Sequence, residues 1–303
     1  HFDSVGQLED LIQQIVSRVN RTVNLASPIA DARLEDGSRV HVVLAPVALN
    51  GPILTIRKFP EPITMERLIE LKSISREAAA FLQKAVERGL NIFISGGTGS
   101  GKTTILNAMS GYIPQEERII TIEDSAELQI RHVKNLVSLE TRVENRDGSQ
   151  EISMRDLIRA SLRMRPDRII VGEVRGGEAL EMLQAMNTGH DGSLSTGHAN
   201  SAKDMLSRLE TMVLMAAELP LAAVRSQIGS ALDLMVHVGR MRDRSRKVLE
   251  ITEVIGYENG EIRLSPIYQF QESGEAGSGQ VEGALVQVGR FEGRRRFAGG
   301  SAF

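Results

Sequence analysis

The sequence has no cysteine and no tryptophan, and aromatic residues make up only 4% of its 303 residues. Because disulfides and thiolate metal sites both need cysteine, neither can form, and a reducing compartment, the cytoplasm, is the simplest location. No apolar run approaches the roughly 18 residues of a membrane-spanning helix, and no signal peptide is visible. The net charge of −3 gives no global basic field, so the composition does not favour a nucleic-acid partner.

A complete phosphate-loop pattern, G-x-x-x-x-G-K-[ST], is present at residues 96–103. A short apolar strand precedes it and a helix-forming segment follows, which is the context that such a loop needs. Glycines allow successive N–H groups to point at phosphate oxygens, and the helix start adds the positive end of its dipole. We expect Lys102 to reach the β- and γ-phosphates and Thr103 to bind Mg²⁺. The remaining predicted nucleotide-binding residues are Gly97, Thr98, Gly99, Ser100, Gly101 and Thr104. A chance glycine-rich loop is the alternative, which the full match and its flanks disfavour.

Acidic residues end two further apolar, β-branched runs. One run, at 168–172, leads into Glu173, and the other, at 119–122, leads into Glu123, Asp124 and Glu127. Buried parallel strands deliver side chains at their carboxyl ends, where a carboxylate can bind Mg²⁺ or act on the attacking water. Glu173 could instead cap the next helix, and the 123–127 cluster could be an exposed acidic turn. With Thr103, the predicted Mg²⁺ ligands are Glu173, Glu123 and Asp124.

Two histidines and three arginines are further candidates. His190 and His198 flank a weak strand at 193–197, where a histidine could bind a phosphate oxygen or report its loss. Hydrogen-bonded loop histidines are an equally good interpretation. A phosphate-loop ATPase in a ring often needs an arginine from elsewhere at the γ-phosphate. Arg33, Arg39 and Arg57 are candidates, with solvated surface as the alternative, and Arg57 is the best single choice.

The N-terminal part of the chain predicts a small α+β domain over residues 1–58. An amphipathic helix at 4–21 is followed by three strands, and Asp36-Gly37 lies between the first two as a hairpin turn. The first residue is His rather than Met, so we expect the natural start of this domain to be missing. Residues 59–66 are the predicted linker, because Pro60 and Pro62 forbid helix there.

The rest of the chain predicts a larger domain and a tail. Residues 67–272 alternate helix with strand and then continue as strands alone, which predicts a doubly wound, mainly parallel α/β sheet with an antiparallel extension. Residues 273–303 are rich in glycine, serine and arginine and predict a mobile tail.

Together, these blocks resemble the type II/type IV secretion ATPase superfamily. Residues 162–175 match its Walker B form, LRxxPDxIxxGE-[IV]-R, at each fixed position, while residues 122–128 resemble its Asp box and residues 185–198 its His box. Residues 31–40 and 54–59 look most like the CpaF branch, whose ATPases drive tight-adherence (Flp, type IVc) pili. The resemblance covers residues 2–270. The four-cysteine zinc site of many type II assembly ATPases is absent, as are the domains that usually precede the first domain.

The resemblance implies a hexameric ring built from a PAS-like N-terminal domain and a RecA-like C-terminal domain, with ATP between them. It implies an ATPase at the inner face of the cytoplasmic membrane that moves pilin subunits or secreted protein through an inner-membrane platform protein. It makes Glu127 the general base, gives Glu173 a role through Mg²⁺ or water, and makes His198 the γ-phosphate sensor. Lys102 and Thr103 keep their phosphate and Mg²⁺ roles, and Arg33, Arg39 and Arg57 become candidate arginine fingers.

Three other functions stay open on the sequence alone. A RecA-like nucleic-acid motor is disfavoured by the acidic balance and by the few aromatic residues available for stacking on bases. A switch that binds ATP but scarcely hydrolyses it is disfavoured by the presence of both Glu127 and Glu173. A small-molecule kinase would need an arginine-rich lid, and none is evident between residues 111 and 118.

Overall fold

The computed structural model describes residues 2, 4–18, 21–34, 37–58, 61–142, 150–275, 279 and 281–293. The chain divides into two compact units, His1–Glu61 and Pro62–Phe303. The boundary falls inside the range 59–66 that the prolines predict as a linker, although residues 59 and 60 lie outside the described part. In the described residues, no helix is long and apolar enough to cross a membrane.

The small unit pairs one amphipathic helix with one antiparallel sheet. Its elements are α1 (Val5–Arg18), β1 (Ile29–Arg33), β2 (Arg39–Val43) and β3 (Ile53–Arg57), with the strands in the order β1-β2-β3. Ile12 and Val16 of the helix are buried against Val40 and Val42 of the central strand. The predicted helix and three strands are present, each within a few residues of the expected bounds, and the PAS-like character of the unit stays a prediction.

The large unit is a nine-stranded sheet with helices on both faces. Its strands are β4 (Ile92–Gly96), β5 (Arg118–Glu123), β6 (Asn135–Glu140), β7 (Arg168–Val171), β8 (Leu194–His198), β9 (Leu234–Arg240), β10 (Arg246–Glu258), β11 (Glu261–Glu275) and β12 (Val281–Gln287). Its helices are α2 (Met65–Glu70), α3 (Arg76–Glu87), α4 (Lys102–Ser110), α5 (Met154–Ser161), α6 (Glu178–Asn187), α7 (Ala202–Ala216) and α8 (Leu221–Ala231).

The strand order is β12-β11-β10-β9-β4-β8-β7-β5-β6. Strands β9, β4, β8, β7, β5 and β6 are parallel, whereas β10, β11 and β12 are antiparallel. Along β4, Ile92 and Ile94 pack into one hydrophobic layer and Phe93 packs into the other. Both faces of the central strand are therefore covered, and the predicted α/β class with an antiparallel extension is confirmed.

The predicted tail over 273–303 is wrong for the residues that the structure describes there. β11 continues to Glu275, and β12 pairs with it as a further strand. The buried carboxylate of Glu253 on β10 accepts hydrogen bonds from the backbone N–H groups of Glu292 and Gly293, both at 2.8 Å. The ring of Phe291 packs edge-on against Phe81. These contacts hold the chain after β12 on the sheet, while residues 276–278, 280 and 294–303 lie outside the described part.

The first helix of the large unit begins before residue 67, the predicted start of the ATPase domain. Helix α2 begins at Met65, inside the predicted linker, because the hydroxyl of Thr64 caps it by accepting from Arg67 N at 3.2 Å.

Buried polar groups at the amino ends of the parallel strands bind the backbone of neighbouring elements. The side chain of Asn91, just before β4, donates to Ala231 O at 2.8 Å and accepts from Ser193 N at 3.1 Å. Asp233, just before β9, accepts from Asn91 N at 2.8 Å, and Arg168 at the start of β7 is buried as well. This edge of the sheet is a structural polar layer, and the opposite edge carries the candidate site.

Candidate functional site

The phosphate loop connects the carboxyl end of β4 to the amino end of α4. Gly99 and Gly101 have φ of 68° and 99°, in the left-handed region that favours glycine, and Gly101 is the N-cap of α4. A Cβ at Gly96 would lie 2.4 Å from Val238 O, so β9 approaches too closely for any side chain there. The strand, loop and helix that the sequence predicts for residues 91–109 are all present.

Lys102 lies buried at the start of α4. Its Nζ donates to the carbonyl oxygens of Gly96 and Gly97 at 3.2 and 3.1 Å, and His198 Nδ1 lies 3.3 Å away. Burial lowers the pKa of Lys102, the nearby Glu173 carboxylate opposes this change, and Arg175 adds to it. The loop carbonyls hold the ammonium close to the glycines whose N–H groups would bind phosphate.

His198 connects Lys102 to Glu173. It ends β8, the strand beside β4, and its Nε2 lies 2.6 Å from Glu173 Oε1. The pKa of His198 is lowered, chiefly by burial and then by the positive charge of Lys102. A neutral imidazole has one nitrogen free to accept, so its Nδ1 can face the Lys102 ammonium. Three predicted site residues from three separate segments therefore meet in the structure.

Arg175 extends this chain of contacts to Asp124. Its guanidinium pairs with Glu173 Oε2 at 2.5 Å and with Asp124 Oδ2 at 3.1 Å. The hydrogen bond with Glu173 is the main reason why the pKa of Arg175 is raised. Arg175 is the last residue of the Walker B pattern, but the pattern assigns it no function. It aligns the carboxylates that follow β5 and β7.

Glu123 ends β5, and its carboxylate holds the segment that carries Glu127. Oε1 accepts from Glu127 N at 3.0 Å and from Leu128 N at 3.1 Å. Burial raises the pKa of Glu123 to about 7, although these two backbone donors oppose the rise. A Cβ at Gly172 would lie 2.8 Å from Glu123 Cγ, so the side chain is packed closely against the strand end of β7. Glu123 thus supports the Asp-box loop, and its predicted role as a Mg²⁺ ligand stays a prediction.

The residues of the loop and the strand ends fit a Mg²⁺–nucleotide. Ser100 Oγ is buried, and no described residue forms a hydrogen bond with it. Among the described residues, no three His, Cys, Asp or Glu side chains converge as a metal cage. In phosphate-transfer sites, Mg²⁺ is bound by one or two protein oxygens, by water and by the phosphates themselves. The predicted ligands Thr103, Asp124 and Glu173 would supply such oxygens.

The three candidate arginines form one row across the sheet of the small unit. Arg33 is the register partner of Arg39, and Arg39 is the partner of Arg57. Directly paired residues share a face of a sheet, and like charges there repel one another. The row therefore places three arginines side by side on one face of the sheet. Their predicted role as arginine fingers stays a prediction.

His190 lies at the other edge of the large sheet. It precedes β8, and its Nδ1 lies 3.2 Å from Ala185 O. Of the two histidines, only His198 reaches the phosphate loop, so His190 fits the structural interpretation.

A further arginine, Arg246, contacts the phosphate loop from the antiparallel part of the sheet. It begins β10, and its Nε donates to Gly99 O at 2.8 Å. No local motif marks it, because it lies far from the loop in sequence and binds it through a backbone carbonyl.

Comparison with known proteins shows the family of the chain. The family model described as "Type II/IV secretion system protein" matches residues 1–268. The conjugal transfer protein TrbB of Rhizobium radiobacter is 37% identical over 249 residues, which are 81% of this chain and 73% of that protein.

Two solved structures share the fold. The crystal structure of the VirB11 ATPase from the Brucella suis type IV secretion system, in complex with sulphate, is 29% identical. Its TM-score is 0.53, and the match covers 81% of this chain and 80% of that one. The crystal structure of the pilus retraction motor PilT with bound ADP is 25% identical. Its TM-score is 0.54, and the match covers 78% of this chain and 62% of that one.

Proposed function

The chain belongs to the type II/IV secretion system protein family, and on that premise we propose that it is an ATPase that converts ATP hydrolysis into work at a pilus or secretion machine. The observation that carries the proposal is the line of contacts from Lys102 through His198 to Glu173. It joins the phosphate loop to the carboxyl ends of β7 and β8, which is where a phosphate-loop enzyme needs its acidic and sensing groups.

In the proposed reaction, the chain's own residues bind the phosphates of ATP and activate the attacking water. The N–H groups of residues 97–104 and the Lys102 ammonium bind the phosphates of ATP. Thr103, with Asp124 and Glu173, would hold Mg²⁺, which would supply Lewis-acid stabilisation of the phosphate charge. Glu127 accepts a proton from the attacking water, and Glu123 positions Glu127 through its backbone N–H.

His198 is the proposed sensor of the γ-phosphate. Its imidazole lies between the Lys102 ammonium and Glu173, so a change in the charge near Lys102 changes the contacts of the ring. The arginine row of the small unit is the proposed source of the remaining positive charge at the γ-phosphate, with Arg57 as the first candidate. Because both sets of contacts depend on the γ-phosphate, hydrolysis would alter them and drive movement.

We propose a homohexamer of the tight-adherence pilus type, located in the cytoplasm at the inner face of the membrane. There it would act on an inner-membrane platform protein in pilus assembly, pilus retraction or protein secretion. The small unit is the proposed PAS-like domain and the large unit the proposed RecA-like domain of each subunit.

The test is steady-state ATP hydrolysis as a function of protein concentration, with Mg²⁺ present. We expect specific activity to rise with concentration, and both Lys102→Ala and Glu127→Gln to abolish at least nine-tenths of it. Glu261→Gln, an exposed acid at the β10–β11 turn, is the matched control and should retain full activity.

Wild-type rates in the Lys102→Ala protein would disprove the proposed site. Tight ATP binding with no hydrolysis at any concentration would instead identify a switch. A salt-sensitive shift of DNA in a gel would favour the nucleic-acid motor.

A further inference from the structure

Arg246 packs against two glycines of the phosphate loop. Besides the hydrogen bond from its Nε to Gly99 O, its Cδ would lie 3.4 Å from a Cβ at Gly101. The polar head of this side chain thus bonds to Gly99, and its aliphatic stem occupies the space beside Gly101, the other loop residue with left-handed backbone. Ser100, whose hydroxyl is buried without a described partner, lies between them.

The hairpin that carries Arg246 is fixed on the side of β12. Asp243 accepts from the backbone N–H and the hydroxyl of Ser245, at 2.8 and 2.6 Å, and its other oxygen accepts from Val281 N at 2.8 Å. The Ser245 hydroxyl is the main reason that the pKa of Asp243 falls to about 2. The hairpin is therefore tied to β12 by a charge-assisted hydrogen bond.

The same hairpin is fixed on a second side by the segment between α2 and α3. Val248 N donates to Ser73 O at 2.8 Å, and the buried Lys247 Nζ donates to Lys72 O at 3.0 Å. Both residues follow Arg246 directly in β10. The backbone at Arg246 is thus held in place by its neighbours. Less conformational entropy is therefore lost when its side chain bonds to the loop.

A phosphate loop binds its ligand with N–H groups, so its carbonyl groups must point elsewhere and find other donors. Gly99 O has such a donor in Arg246. Without it, the flexible glycines would populate conformations in which fewer N–H groups face the phosphates.

We propose that Arg246 is a positioning residue of the nucleotide site, which holds the phosphate loop in its binding conformation through Gly99. The inference rests on the proposed function, because the loop is taken to bind a nucleotide phosphate. The antiparallel extension then contributes to nucleotide binding indirectly, through the phosphate loop.

The experiment compares Arg246→Ala and Arg246→Lys with the unchanged chain. Arg263→Ala is the matched control, since Arg263 is an exposed arginine on β11 that pairs with Glu258. Three quantities are measured: the Kd for ADP, the KM and kcat for ATP, and amide hydrogen exchange at residues 97–101 without nucleotide. Thermal midpoints show whether each variant is folded.

Loss of a charge-assisted hydrogen bond at an exposed site predicts ADP binding weaker by about 5- to 20-fold in Arg246→Ala. We expect KM to rise by a similar factor while kcat stays within about twofold, because the lost interaction orders the loop before the chemical step. Amide exchange in the loop should accelerate, and Arg246→Lys should lie between Ala and wild type.

Equal ADP affinity and equal loop exchange in Arg246→Ala and Arg263→Ala would overturn the inference. A uniform loss of stability with no selective change in the loop would overturn it too. If the unchanged chain failed to bind ADP, the proposed function would fail, and exchange at residues 97–101 would alone decide whether Arg246 positions the loop.

Discussion

Glu123 is expected to make the large unit less stable as the pH rises from about 5 to 8. Its side chain is 3% exposed, and burial raises its pKa from the ordinary 4.5 to about 7. A carboxyl whose pKa is higher in the folded state binds its proton more tightly there than in the unfolded chain. Its contribution to stability is therefore full below pH 4.5 and is lost as the pH rises through 7.

The size of the effect follows from that pKa. The difference between 4.5 and about 7 corresponds to about 3 kcal/mol in the free energy of unfolding, as an upper bound. Glu123→Gln keeps an oxygen that can accept from Glu127 N and Leu128 N but cannot ionise. We expect the variant and the wild type to be equally stable near pH 4.5, and the variant to be more stable by about 2–3 kcal/mol at pH 8.

Urea unfolding followed by tyrosine fluorescence measures this difference. The three tyrosines, Tyr112, Tyr257 and Tyr268, all belong to the large unit, so the signal reports that unit alone. Glu261→Gln, which removes an exposed carboxylate, controls for the change in net charge. If the stability difference between Glu123→Gln and wild type stayed constant from pH 4.5 to 8, the conclusion that burial raises the pKa of Glu123 would be refuted.

Three further substitutions test the packing. Gly96→Ala should lower the thermal midpoint by about 5 °C, because its Cβ would clash with β9, whereas Gly97→Ala, with open space around it, should change it by less than about 1 °C. Asn91→Ala should cost about 2–4 kcal/mol in urea unfolding, since it leaves two buried backbone groups without partners. Phe291→Ala should cost about 2 kcal/mol, against almost nothing for the half-exposed Val288→Ala. Equal thermal midpoints for Gly96→Ala and Gly97→Ala would contradict the packing described. So would equal free energies of unfolding for Phe291→Ala and Val288→Ala, or an unchanged free energy of unfolding in Asn91→Ala.

The parallel strands could be predicted because each is buried on both faces and reads as an unbroken apolar run. β4, β5 and β7 lie within a residue or two of their expected bounds. β6 was missed because, towards the edge of the sheet, its burial alternates and its sequence mixes polar with apolar residues. β12 was missed because the glycine-rich segment before it dominates the composition, although Val281 and Leu285 are buried.

Within the site, motif spacing and the positions of strand ends were sufficient to predict that Lys102, Glu173 and His198 lie close together. Each belongs to a local pattern, and the carboxyl ends of adjacent parallel strands meet at one edge. Arg246 could not be found in this way, because its partner is a backbone carbonyl that every residue type provides. Glu123 was found as an acid, but its function as a hydrogen-bond acceptor for the backbone of Glu127 depends on a loop conformation that no motif encodes.

Because structural and candidate site residues lie at opposite edges of the sheet, substitutions at the two edges should have different effects. Buried polar residues such as Asn91 and Arg168 stand at the amino ends of the strands, and Lys102 and Glu173 stand at the carboxyl ends. In a saturation screen scored for both cellular abundance and nucleotide turnover, substitutions at the first edge should lower both scores together. Substitutions of Lys102 or Glu173 at the second edge should remove turnover from protein that still accumulates.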